Sequence, residues 1–213
     1  MSADHGHHHP HPKQTDIEDQ PFEYYQIMAE AVGELLIEKG VFSAAELRKT
    51  VESIDARSPA DGAKVVARAW VDAAFKKRLL EDANAAAGEL EIDAGAIPVK
   101  VVENTPSTHN VICCTLCSCY PRLLLGLPPD WYKARAYRSR VVREPRAVLE
   151  EFGTVIPDDV EVKVHDSTAD LRYMVLPLRP AGTEGMSEAE LAALVTRDCV
   201  IGTATVEPRV LTC

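Results

Sequence analysis

The chain is 213 residues long, with 46% hydrophobic and 26% charged residues, a globular usage that excludes wholesale disorder, collagen-like architecture and a small disulfide scaffold. Lys and Arg number 23 against 33 Asp and Glu, and the formal net charge of -10 repels phosphate backbones and anionic lipid surfaces, so neither nucleic acid nor a membrane is an expected partner. No apolar run reaches the roughly 18 residues of a bilayer span and the polar start lacks the apolar stretch of a secretory signal, which predicts a cytoplasmic location.

Residues 1–20 hold five of the seven histidines, in HGHHHPHP, and little that is apolar; they read as a disordered His-rich tail, with metal collection the minor reading. Residues 21–90 read as a helical N-terminal arm. Tyr25, Met28, Val32, Leu35 and Leu36 share one helical stripe that Gly40 terminates. Ser43 and Glu46 have capping-box spacing ahead of Leu47, Val51 and Ile54. A third helical stretch runs from Pro59 through Val65, Trp70, Phe75 and Leu80, with a break expected near Val71 and Asp72. Such stripes either close on each other or wrap a partner subunit.

Residues 91–213 change character and read as α+β. IPVKVVENT and HNVICC are β-rich and separated by a turn signal at Thr105-Pro106-Ser107. GLPPDWYK, ARAYRSRVV and PRAVLEEFG read as a loop and short helices. VEVKVHD and DLRYMVLPL alternate like strands paired across the Ser167-Thr168 turn, and Ser187 with Glu190 marks a second capping box. No repeat, GxGxxG or P-loop spacing occurs, so no nucleotide cofactor is indicated.

Four of the six cysteines, Cys113, Cys114, Cys117 and Cys119, fall within seven residues at the end of an apolar strand. That crowding favours metal ligation over structural bridging. A structural zinc site wants four ligands, and only His109 or Cys113 is available to complete one; an iron-sulfur cluster wants a further thiolate, for which Cys199 and Cys213 are unmotivated. A redox dithiol uses only Cys114 and Cys117. Three thiolates in C-x-x-C-x-C can instead occupy one face of a transition metal and leave opposite positions open.

CTLCSC (Cys114 to Cys119) followed by YP, GLPP (Gly126 to Pro129), WYK (Trp131 to Lys133), YRSRVV (Tyr137 to Val142), DST at Asp166 and RPAGTEG (Arg179 to Gly185) resembles the α subunit of nitrile hydratase. ENTP (Glu103 to Pro106), AKVVARAWVD (Ala63 to Asp72) and LIEKG (Leu36 to Gly40) extend the resemblance over nearly everything after the tail. The γ subunit of thiocyanate hydrolase shares the same claw. The resemblance implies a layered α/β/β/α-type domain carrying a low-spin trivalent metal. Its implied ligands are the Cys114 thiolate, a sulfinate at Cys117, a sulfenate at Cys119, and the backbone amides of Ser118 and Cys119, with Cys119 and Ser118 the catalytic positions. Thr115, where the iron enzymes carry Ser, is similar to the cobalt branch, so Co(III) is expected, with Fe(III) the alternative.

The implied reaction is hydration of a small nitrile to its amide, with attack on the nitrile carbon by the Cys119 sulfenate oxygen or by an activated water. The implied partners are a β subunit, whose arginines hydrogen-bond the oxidised sulfurs, and a cobalt-loading chaperone. Two candidate substrate-pocket residues depart from the family pattern: Arg122 and His165 stand where most nitrile hydratases carry Trp. An Arg after CSCYP is also similar to thiocyanate hydrolase, where a cation suits an anionic substrate, and an interface ion pair is its other reading. For His165 a packed, hydrogen-bonded role is the competing reading. Strand alternation turns Cys113 away from Cys114 as a small buried hydrophobe, and Cys199 reads as buried too. The alternatives are thus the thiocyanate hydrolase metal-bearing subunit and a non-catalytic metal-binding protein or metallochaperone.

Overall fold

The computed structural model describes residues 24–208, and the His-rich tail expected over residues 1–20 lies outside them. Helix α1 (Tyr24–Glu38) gives way to Gly40, whose φ of +68° closes it in the left-handed region. Helix α2 (Ala44–Asp55) opens on a complete capping box, with Ser43 Oγ accepting from Glu46 N at 3.2 Å and Glu46 Oε2 accepting from Ser43 N at 2.7 Å. Neither helix buries a residue. Tyr25, Met28, Val32, Leu35, Leu47, Val51 and Ile54 all remain exposed.

The expected break after the third stretch is a cap. Asp72 leaves helical backbone between α3 (Ala60–Val71) and α4 (Ala73–Glu81), and its Oδ1 accepts from Phe75 N at 2.9 Å. Asp82 repeats the device for α5 (Ala83–Gly88), accepting from Ala85 N. From α3 onward the helices are amphipathic against the core: Val65, Val66, Phe75, Leu79 and Ala86 belong to one buried cluster with residues from the strands.

Four strands follow: β1 (Val99–Glu103), β2 (Thr108–Cys113), β3 (Glu161–Asp166) and β4 (Arg172–Leu176). The turn after β3 is real, since Thr168 N donates to Leu171 O at 2.8 Å, but β3 and β4 are not paired across it. Each joins a different two-stranded parallel ribbon instead, β4 beside β1 with Val99 opposite Arg172, and β3 beside β2 with Thr108 opposite Glu161. The physical reason is burial. Met174, Val175 and Leu176 are buried consecutively, the mark of a strand covered on both faces, whereas a hairpin at the surface would keep one face wet.

The ribbons touch through β2 and β4, while α4 and α5 pack on β1 and the short helix α9 (Pro145–Glu151) packs on β3. Between the strand pairs lie α6 (Arg122–Leu125), α7 (Asp130–Lys133) and α8 (Arg135–Arg140). Helix α10 (Glu188–Ala192), capped by Ser187 and Glu190 as its spacing predicts, packs on α3. Helix α11 (Arg197–Ile201) ends at Gly202, φ +93°, where a Cβ would stand 2.1 Å from the Asn110 carbonyl oxygen; only glycine lets α11 close on β2. The result is an α+β fold in which β2 leads from the core directly into the cysteine segment.

Candidate metal centre

Val111, Ile112, Cys113 and Cys114 are buried, and the next three residues, Thr115, Leu116 and Cys117, are exposed. The chain therefore leaves the core in one step. Three groups hold the turn it makes. Asp166, ending β3, accepts from Thr115 N at 2.8 Å and from Thr115 Oγ1 at 2.5 Å. Arg138 of α8 donates to the Thr115 carbonyl at 3.3 Å, and the buried Tyr132 of α7 donates through its hydroxyl to the Cys119 carbonyl at 3.0 Å.

Inside this frame Cys114 Sγ lies 3.5 Å from Cys117 Sγ, which lies 3.1 Å from Cys119 Sγ, and all three sulfurs fall within 4.8 Å of one another. Sulfurs bound at roughly 2.3 Å stand about 3.3 Å apart at right angles and about 3.8 Å apart at the tetrahedral angle. The two spacings between neighbouring sulfurs lie nearer the right-angled value, and three soft donors are one short of the four that close a tetrahedral zinc site, so the set suits a transition metal with open positions. Among the described residues it is the one group of three or more His, Cys, Asp or Glu side chains so arranged.

The thiols are electrostatically unequal. Cys117 is held below its ordinary pKa, first by a hydrogen bond from Cys119 and further by Cys114 and by the backbone amides of Ser118 and Cys119. Burial first, and then its hydrogen bond to Cys117, push the Cys119 thiol up to about 12. Of Cys117 and Cys119, it is Cys117 that favours the thiolate. Cys113, by contrast, sits in the hydrophobic core with its thiol pushed up to about 12 by burial, as its place in the strand alternation predicts. Cys199 is buried on α11, its Sγ 3.1 Å from Thr196 Oγ1.

A cavity of about 570 Å³ opens beside Cys117 and Cys119, lined by Cys117 to Leu123, by residues 94–97 and by Val99. Arg122 lines it; His165 does not. The His165 Nε2 is 2.8 Å from Asn110 Oδ1, its ring stacks 5.2 Å from that of Tyr173, and burial holds its pKa below the usual range. That is the packed, hydrogen-bonded arrangement. Sequence reasoning missed Arg172, which also lines the cavity, acts electrostatically on Cys119 and keeps its Nη1 buried without a hydrogen-bond partner. Its only local signal was its position before an apolar strand, and the long-range pairing with β1 is what carries it to the site.

A sequence profile described as "Nitrile hydratase, alpha chain" matches residues 23–204. The chain belongs to the nitrile hydratase alpha chain family. It is 51% identical over 181 residues to the low-molecular weight cobalt-containing nitrile hydratase subunit alpha of Rhodococcus rhodochrous, covering 81% of this chain and 84% of that one. It is 40% identical over 211 residues to the thiocyanate hydrolase subunit gamma of Thiobacillus thioparus, covering 93% of this chain and 85% of the other. Among solved structures, a double mutant of the Fe-type nitrile hydratase from Comamonas testosteroni Ni1 matches with a TM-score of 0.79 at 43% identity, over 87% of this chain and 91% of that one. Nitrile hydratases are enzymes, and the alpha chain is the subunit that carries their catalytic metal site. No helix among the described residues is long and apolar enough to cross a membrane.

Proposed function

We propose that the chain is the α subunit of a cobalt nitrile hydratase, hydrating small nitriles to amides together with a β subunit, at a low-spin Co(III) centre with oxidised cysteine ligands. The convergence of three sulfurs, two of them from cysteines that line an open cavity, supports this reading, because a ligand set that occupies part of an ion's surroundings leaves the rest to substrate. Cys114, Cys117 and Cys119 would hold the ion through sulfur, and Ser118 and Cys119 through their backbone amides. A trivalent ion bound there supplies Lewis acidity toward the nitrile nitrogen. The remaining work belongs to the protein's own groups. Tyr132, Asp166 and Arg138 fix the turn so that the sulfurs need not reorganise, and the Cys119 sulfur, in its sulfenate form, presents an oxygen to the nitrile carbon.

The β subunit's role is to bring arginines to the oxidised sulfurs of Cys117 and Cys119, which lie at the exposed mouth of the turn, and a cobalt-loading chaperone is the expected source of the ion. In this reading residues 91–213 form the metal-binding catalytic domain and residues 21–90 the helical arm.

A second reading, the metal-bearing subunit of a thiocyanate hydrolase, draws on the two guanidinium groups, Arg122 and Arg172, that line one cavity and suit an anionic substrate. The α and β chains purified together after growth on cobalt decide between them. Amide from a nitrile, one cobalt per α chain and two added oxygens on Cys117 with one on Cys119 are the expected results. Carbonyl sulfide and ammonia from thiocyanate, without amide from any nitrile, would transfer the assignment to the second reading.

A further inference from the structure

Part of the lining that the cavity shares with Cys117 and Cys119 belongs to no helix or strand. Residues 93–97 carry no backbone–backbone hydrogen bond to the rest of the described fold, yet residues 94–97 line the metal-site cavity on one side. On the other side Gly95, Ala96, Pro98 and Val99 line a second cavity of about 620 Å³ that reaches α5 and Lys100. The segment is therefore a strap between two open spaces. Nothing in regular secondary structure fixes its distance from Cys119 and Arg122.

Side chains do so instead. Asn84, in the first turn of α5, donates through Nδ2 to the Gly95 carbonyl at 2.8 Å and to the Ile97 carbonyl at 3.1 Å, and accepts through Oδ1 from Val99 N at 2.8 Å. One amide thus reproduces three bonds that a neighbouring strand would have made. At the start of the strap Arg57 Nη1 reaches both the Asp93 carbonyl and the Leu123 carbonyl, tying the strap to α6. Gly95 completes the fit: at φ +82° a Cβ would stand 2.6 Å from Leu123 Cδ1. Ile97 is left exposed on the cavity side, the one bulky apolar side chain of the strap.

We infer that Asn84 is a positioning residue that sets the strap, and that Ile97, held by it, is the specificity-determining side chain that reads the substituent on the nitrile. The inference rests on the nitrile-hydrating reading of the site. A stretch of cavity lining fixed by one amide on a capped helix gives a defined space for the substituent, while the cysteine turn on the same lining is fixed independently by Asp166, Arg138 and Tyr132. Loss of Asn84 therefore loosens substrate binding without loosening the ligands.

The test uses the cobalt-loaded α–β heteromer and compares wild type with Asn84→Ala, Ile97→Ala and Ile97→Phe. Asn84→Ala should speed amide hydrogen exchange across residues 93–99 and leave exchange at 114–120 and cobalt content as in wild type, with KM raised by about tenfold and kcat lowered much less. Ile97→Ala should shift the ratio of kcat/KM for benzonitrile over acetonitrile upward by about tenfold, and Ile97→Phe should shift it downward. The same preference should appear without turnover, in dissociation constants read from nitrile-induced changes in the cobalt–sulfur absorption. If Asn84→Ala does not fold, the Ile97 pair alone decides the matter.

Cobalt loss from Asn84→Ala with unchanged KM, or Ile97 variants that leave the benzonitrile-to-acetonitrile ratio where it was, would overturn the inference. Failure of the underlying reading looks different. Wild-type heteromer would then release no amide, and the exchange and dissociation-constant measurements would still show whether Asn84 holds the strap and Ile97 sorts nitriles.

Discussion

In the proposed centre Cys119 carries two burdens, a metal contact through sulfur and a fixed carbonyl held by Tyr132, and they can be separated by substitution. Cys119→Ala should abolish amide formation by the cobalt-loaded heteromer, a loss of more than about 100-fold, measured as initial rate against cobalt content. Tyr132→Phe removes only the hydroxyl. It should leave the Cys119 carbonyl without its donor, lower stability by about 1 kcal/mol and speed cobalt release to a chelator, while Tyr132→Trp would disturb the packed aromatic group around it. These residues differ in how visible they were beforehand. The cysteines were legible because their spacing is local, whereas Tyr132 and Asp166 act across sequence separations of 13 and 51, Arg172 is farther still from the cysteines, and no pattern within one element announces a partner on another.

Capping boxes at Ser43 and Ser187 show what short-range chemistry delivers, since each is complete within four residues and each forms as its spacing predicts. Ser187→Ala should cost about 1 kcal/mol, because α10 packs on α3 and cannot fray freely; a fall in Tm of about 2–4 °C checks it. Strand partnership is the opposite case. The alternation in residues 160–178 showed two strands and a turn, but which neighbour each would take depended on burial on both faces of β4, which pattern alone does not distinguish from a hairpin. Helices α1 and α2 raise a different issue, for their stripes are apolar yet uncovered. Val51→Lys together with Leu35→Lys should alter the stability of the isolated α chain by less than about 0.5 kcal/mol. The same pair should prevent stable association with a β subunit, read by size exclusion.

At the scale of the whole molecule, a buried polar chain links the two ribbons to α11. His109 Nε2 is 2.8 Å from the Gly202 carbonyl, its Nδ1 is 3.4 Å from Asn104 Nδ2, and Asn104 accepts from Asn110 N at 2.7 Å. Burial lowers the pKa of His109 below its ordinary 6.5, and His165 is lowered in the same way. Both therefore stay neutral in the fold at pH values where the unfolded chain takes up a proton. Stability is then full above pH 6.5 and falls as acid is added below it. Denaturant titrations at pH 7.5 and 5.5 should show a lower midpoint at 5.5 with little change in slope. Gly202→Ala strikes the same junction sterically, with a Cβ 2.1 Å from the Asn110 carbonyl oxygen at a left-handed φ. It should destabilise by more than about 2 kcal/mol, seen as reduced soluble yield and Tm.

The pairing of β2 with β3 also sets an order of events during synthesis. A nascent chain that has reached only residue 160 already holds Cys114, Cys117 and Cys119 but lacks the strand whose last residue, Asp166, pins Thr115. Contacts that span so many residues close late. In the proposed centre, the turn that carries the three sulfurs therefore takes its final geometry only after β3 has been made and has paired with β2.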